Sequence, residues 1–117
     1  MAWTVVLVEE VDEWFCNLDP DDAEVVAAAI DRLEEHGPFL GRPTVDKLHH
    51  SKLHNLKELR PAGSSIRILF IFDPWRQAVL LVGGEKAGKW NAWYDDNIPK
   101  AEERYQRWLS EEGKRNG

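Results

Sequence analysis

The sequence predicts an α+β fold: an antiparallel sheet with an N-terminal helical hairpin and a C-terminal helix, in the order β-α-α-β-β-β-α. Three observations carry this. Strand-like apolar runs recur at 54–60, 66–72 and 77–83, joined by links too short for a crossover helix, so neighbours pair antiparallel. Two stretches of helical periodicity precede these runs and one follows them. At 117 residues the chain has enough material for one hydrophobic core, so residues 1–117 read as a single domain.

The first strand is WTVVLV, residues 3–8, β-branched and apolar. Val11, Trp14, Phe15 and Leu18 then fall at i, i+3, i+4 and i+7, one face of a short helix. Asp19-Pro20-Asp21-Asp22 starts the next helix. Asp19 suits the N-cap, Pro20 the first helical position, and two acids sit at the positive end of the dipole. That helix is expected to bury Ala23, Val26, Ala27, Ile30 and Leu33, and Gly37-Pro38 stops it. Pro38, Gly41 and Pro43 make residues 37–53 read as irregular.

In the sheet region, Pro61-Ala62-Gly63-Ser64-Ser65 turns the first corner and Asp73-Pro74-Trp75-Arg76 the second. Gly83-Gly84 ends the last strand. Residues 84–97 read as a loop with three large aromatics, Trp90, Trp93 and Tyr94. Ile98-Pro99 is expected to start the last helix, with Ala101, Tyr105, Trp108 and Leu109 as its stripe, and residues 111–117 to fray.

No apolar run approaches the length of a membrane span, and MAWTVVLVEE lacks the basic segment and cleavage site of a secretory signal. The single cysteine, Cys16, cannot form an internal disulfide and lies among Asp12, Glu13 and Asp19; it reads as an inert packed thiol in a reducing cytoplasm.

The net charge of −6 argues against a free-standing nucleic-acid binder, but its distribution argues otherwise. Residues 1–46 carry 12 acids and 2 bases, whereas residues 47–72 carry 5 bases and 1 acid. Three of the four histidines, His49, His50 and His54, share the basic stretch. A local cationic patch engages phosphate even on an acidic molecule, because salt screens distant charges.

Within that stretch, pairing of 54–60 with 66–72 brings Arg60 close to Arg67. Like charges directly opposed are unfavourable, so an acid such as Glu58 relieves them or they await an anion. Guanidinium forks fit phosphate oxygens. Lys86 and Lys89 leave the third strand, and Trp93 and Tyr94 follow. Cations interleaved with aromatics suit single-stranded RNA, where bases stack and cations hold phosphates. The structural alternative is that Arg67 closes an ion pair with Glu58 or Asp73 and the aromatics close the core. His50 and His54 stand at i, i+4 without further ligands, so no metal site and no cofactor are expected. His54 beside the cations can serve as a general acid or base.

The element order, together with KELR…IRILFIFDP and AVLLVGGEKAGKW, resembles the RelE/ParE superfamily of bacterial toxins, in particular its phage-derived HigB-like branch; the likeness spans about residues 3–110. That resemblance implies a type II toxin that cleaves mRNA on the ribosome without a metal, partnered by a small helix-turn-helix antitoxin in a hetero-oligomer. Carried over by position, Arg67 matches the arginine that binds the scissile phosphate. Arg60 matches the basic residue closing the preceding strand, and Lys86 the one after the following strand. Tyr94 matches an aromatic that stacks on the codon. The expected catalytic set is therefore Arg67 and Arg60 on the phosphate, with Lys86, Lys57 or His54 moving protons. Lys89, Trp93 and Tyr94 are the expected RNA contacts. Two other functions fit the same resemblance: a ParE-like toxin directed at gyrase, and an inactive module that only binds antitoxin.

Overall fold

The computed structural model describes residues 2–85 and 90–116, with Trp90 by its backbone alone. The elements are β1 (Thr4–Leu7), α1 (Glu9–Cys16), α2 (Pro20–His36), a 3-10 turn (Gly37–Phe39), β2 (Val45–Lys47), β3 (Lys57–Leu59), β4 (Ile66–Phe72), β5 (Gln77–Glu85) and α3 (Trp90–Asn116). The strands form one sheet in the order β1-β5-β4-β3-β2. β1 runs parallel to β5, and the other three pairs are antiparallel.

The helix-start chemistry at Asp19 appears as expected. The Asp22 amide donates to Asp19 Oδ1 at 3.0 Å, and Pro20 opens α2. The buried face of α2 is Val26, Ala29 and Leu33, so Ala29 takes the place expected of Ala27. Cys16 ends α1 on its outer side and is exposed rather than packed, because Val11, Trp14 and Phe15 occupy the inner face.

Several boundaries differ from the sequence reading: β3 is only Lys57–Leu59 rather than 54–60, and β5 runs through Gly83-Gly84 to Glu85 instead of ending there. A short strand, β2, lies inside the stretch read as irregular. It pairs antiparallel with β3, and the Arg60 amide donates to the Thr44 carbonyl at 2.7 Å. Helix α3 begins at Trp90 and runs through Pro99. The reason is the apolar stripe. Tyr94 and Ile98 extend the spacing of Ala101, Tyr105 and Trp108 back by two turns, and burial of that stripe outweighs the proline. At the other end α3 continues to Asn116, whose side chain donates to the Glu112 carbonyl at 2.9 Å. Among the described residues, no helix is long and apolar enough to cross a membrane.

Two adjacent glycines show how the layers stack. A Cβ at Gly83 would lie 2.4 Å from the Trp14 ring on α1, and one at Gly84 would lie 2.9 Å from Trp93 Nε1 on α3. Successive strand residues point to opposite faces, so α1 and α3 cover opposite sides of β5. The core between them includes Leu33, Leu56, Leu59, Ile68, Phe70, Leu80 and Ala101.

Candidate functional site

Residue alternation along β3 and β4 decides which side chains meet. Glu58 is opposite Leu69, and Leu59 opposite Ile68. One step further in this register faces Arg60 with Arg67. Arg67 itself pairs with Gly84, the glycine beneath Trp93. Glu58, Arg60 and Arg67 therefore share the α3 side of the sheet, where Tyr94 descends on them.

Glu58 joins these groups. Its side chain has no exposed surface. Its Oε2 accepts from Arg60 Nε at 3.0 Å, and its Oε1 lies 3.7 Å from Arg67 Nε. The Tyr94 hydroxyl donates to the same Oε1 in a short hydrogen bond. Burial, and then this contact with Glu58, push the Tyr94 hydroxyl well above the ordinary tyrosine range, so it stays a donor at neutral pH. Arg67 also donates to the carbonyls of Ser64 at 3.2 Å and Ile66 at 2.7 Å, and its side chain is only 13% exposed.

Arg60 extends the network outward. Its Nη2 lies 3.3 Å from Asp46 Oδ2 on β2, and Arg42 Nε is 3.1 Å from Asp46 Oδ1. The Lys47 amide, followed by Arg42, holds the Asp46 carboxyl below its usual range. Charges thus alternate from Arg42 through Asp46, Arg60 and Glu58 to Arg67. Arg60 is 34% exposed and reaches open space.

That space is a cleft of about 670 Å³ between the β2 side of the sheet and the first turns of α3. Lys47, His49, His50 and Lys52 line one wall; Asn91, Tyr94, Asp95, Ile98 and Pro99 line the other; Arg60 forms the floor, with Glu58 buried beneath it. Glu102 ties the walls together, with its Oε2 accepting from Ser51 Oγ at 2.8 Å and from the Lys52 amide at 2.7 Å. A concave surface with a guanidinium floor, a tyrosine on one wall and two imidazoles on the other can hold a nucleotide phosphate beside a base.

The structure brings together Arg60, Arg67 and Tyr94 of the residues singled out from the sequence. Trp93 is half-buried beside Tyr94, with ring centroids 5.4 Å apart in an edge-on contact. Lys57 pairs with Phe70 and points to the other face of the sheet, because it is one residue out of phase with Glu58. His54 is exposed in the loop before β3, away from the cleft lining. Lys86 and Lys89 lie outside the described residues. Sequence reasoning did not single out His49, His50, Lys47 and Lys52 as one wall, nor Asn91 and Asp95 on the other. The i, i+4 spacing of Asn91, Asp95 and Pro99 was the available signal, and reading residues 84–97 as a loop hid it. Asp73, offered as an alternative partner for Arg67, instead accepts from the Trp75 and Gln77 amides, from Gln77 Nε2, each at 2.9 Å, and from Trp108 Nε1 at 2.8 Å.

Comparison with known proteins adds a family and a fold. The description of the phage-derived protein family Gp49-like matches residues 13–106. The chain is 58% identical over 108 residues to a Mycobacterium tuberculosis protein provisionally named toxin HigB3, covering 92% of this chain and 95% of that one. It is 46% identical over 114 residues to a second protein of that organism provisionally named toxin HigB2, covering 95% of this chain but spanning only 56% of that relative's length. Among solved structures, a chain of the archaeal RelE–RelB complex from Pyrococcus horikoshii superposes with a TM-score of 0.59 at 18% identity, over 75% of this chain and 99% of that one. The M. tuberculosis toxin–antitoxin complex RelBE2 gives 0.56 at 21% identity, over 73% and 99%. A mutant of Escherichia coli toxin RelE in the free state gives 0.58 at 13% identity, over 76% and 88%. These structural likenesses establish the RelE fold.

Proposed function

Because the chain belongs to the phage-derived Gp49-like family, we propose that it is the toxin of a type II toxin–antitoxin pair, acting in the cytoplasm as a metal-independent endoribonuclease on ribosome-bound mRNA. The relatives' toxin names support the first part, and the cleft supports the second. One observation carries the nuclease reading: Arg60 and Tyr94 converge on the floor and wall of one open cleft whose opposite wall holds His49 and His50.

The chemistry is transfer of a phosphoryl bond within RNA. The ribose 2′-OH loses its proton to a base and attacks the adjacent phosphorus. The bond to the 5′-oxygen breaks, and an acid returns a proton to that oxygen, leaving a 2′,3′-cyclic phosphate and a 5′-OH. Arg60 stabilises the charge that builds on the phosphoryl oxygens, a role worth roughly 3 kcal/mol by comparison with other preorganised donors. Arg67 acts from behind Glu58 by holding the carboxylate that Arg60 uses. His49, His50 and Lys86 are the candidates for proton transfer, and Tyr94 with Trp93 supplies the stacking surface.

The partner proposed is a small helix-turn-helix antitoxin forming a hetero-oligomer with the toxin; two of the structural neighbours are themselves toxin–antitoxin complexes. One observation favours a second reading. Arg67 is buried against Glu58 and two carbonyls, which suits a protein that acts by binding alone, as a gyrase-directed toxin does. Induction in cells separates the two. Sequencing of RNA 5′ ends is expected to show new cuts within coding regions, strongly reduced by Arg60→Ala. Intact mRNA accompanied by DNA-damage signalling overturns the nuclease reading.

A further inference from the structure

We propose that Glu58 is a positioning residue of this cleft: it never meets RNA, but its buried carboxylate sets the orientation of Arg60 and Tyr94 toward the phosphate. The inference rests on the nuclease reading above and names what holds that site in register.

Glu58 has no exposed surface, so a substrate in the cleft cannot reach it. Yet it contacts two of the groups that line the cleft, and it does so with different oxygens: Oε2 takes Arg60 Nε at 3.0 Å, and Oε1 takes the Tyr94 hydroxyl. Arg67 braces the carboxylate from the sheet side, 3.7 Å from Oε1. A second acid, Asp46, fixes the other end of the Arg60 fork at 3.3 Å. A guanidinium has five N–H donors in one plane. Two contacts from two strands therefore define that plane, and a third of the side chain still faces the cleft.

A purely structural role gives a weak account of this carboxylate. Buried ion pairs contribute little net stability, and apolar side chains of the same size replace them at little or no cost. Orientation gives a better one: by analogy with the groups that orient metal ligands, whose loss changes affinity or activity about 10- to 100-fold, a carboxylate that aims Arg60 matters without touching substrate. The charge makes a further, opposite prediction. Glu58 offsets part of the cationic field in the cleft, so neutralising it strengthens attraction for phosphate while loosening the aim of Arg60.

Glu58→Gln separates these effects. The amide keeps the side chain's shape and an acceptor for Tyr94 but loses the charge that holds two arginines. The assay uses purified full-length protein, ribosomes carrying a short mRNA, and a 2′-O-methyl oligonucleotide that cannot be cleaved. E58Q is expected to fold, bind the oligonucleotide as tightly as wild type or more tightly, and cleave at saturating mRNA at least about tenfold more slowly. In an Arg60→Ala background the same change is expected to add little, because the two residues act as one unit. Glu58→Asp, which keeps the charge one methylene short, recovers part of the rate. The proposal is overturned if E58Q cleaves like wild type, if rate and affinity fall together with the folded fraction by circular dichroism, or if the E58Q and R60A losses multiply in full. Wild-type protein that neither binds nor cuts RNA removes the nuclease reading and this proposal with it. A cutting wild type with an unaltered E58Q removes this proposal alone.

Discussion

Glu58 and Asp73 are both buried carboxylates beside β4, yet they are held in opposite ways. Asp73 follows the strand and collects neutral donors that are almost all local: two backbone amides and a glutamine side chain of the 73–77 turn, plus the Trp108 indole from α3. Glu58 lies beside the middle of the strand and, among the described residues, collects two guanidiniums and a phenol from three separate segments. The Asp73 set closes a turn and docks a helix, and it leaves nothing over for a ligand. The Glu58 set leaves cationic surface standing in a cleft. Where a buried acid gets its donors thus separates a staple from a site.

Asp73→Ala tests the staple and carries the largest expected effect. It strands the Trp108 and Gln77 donors, so a stability loss of about 4 kcal/mol is expected in urea unfolding, with toxicity falling only as the folded fraction falls. Arg60→Ala tests the site: about a hundredfold loss of RNA cleavage, or roughly 3 kcal/mol in transition-state stabilisation, with a much smaller change in the urea midpoint. A stability loss as large as that of Asp73→Ala would erase the contrast between the two carboxylates.

The neighbouring glycines sharpen it further. Gly83→Ala drives a methyl into the Trp14 ring on the structural side and is expected to cost about 2 kcal/mol by thermal melting. Gly84→Ala presses on Trp93, which abuts Tyr94. It is expected to cost less stability than Gly83→Ala and to slow RNA cleavage more.

The smallest effect concerns pH. Glu10 joins α1 to α3 through Arg107, whose Nη1 and Nη2 donate to its two carboxylate oxygens at 2.8 and 2.6 Å. That pairing, with Arg104 adding to it, pulls the Glu10 carboxyl from the ordinary 4.5 down to about 2. A carboxyl depressed on folding stabilises the native state above its unfolded value, and that contribution drains away as pH falls from about 5 to about 2. The pair is more than a third exposed, so solvent screening keeps its worth under about 1 kcal/mol. Wild type and Glu10→Gln are therefore expected to differ slightly at pH 7 and to converge near pH 2 in chemical unfolding.

How much of this was legible beforehand follows from the range of the forces involved. Helix α2, the turns at 61–65 and 73–76, and strands β4 and β5 carry their signals within a few residues: an acidic cap before proline, glycine and proline at corners, alternation of apolar side chains. β2 has three residues and no alternation to detect; only its pairing with β3 makes it a strand. The first turns of α3 form because Tyr94 and Ile98 find the sheet, which no local propensity reports. Within the site, the meeting of Arg60 with Arg67 followed from strand pairing, and Glu58 was visible as relief between them. That it also binds Tyr94, and that His49 and His50 face Asp95 across a cleft, depends on helix α3 lying over the sheet, and so was out of reach.

Pro99 lies in the third turn of α3, on the wall of the cleft. Proline has no amide hydrogen, so the carbonyl of Asp95, one turn earlier, loses the donor that a continuous helix would give it. The Asp95 carbonyl therefore lacks its helical donor whatever side chain stands at position 95. Filling position 99 with alanine would mend the ladder and stiffen the rod, at the cost of silencing an acceptor that the backbone itself presents.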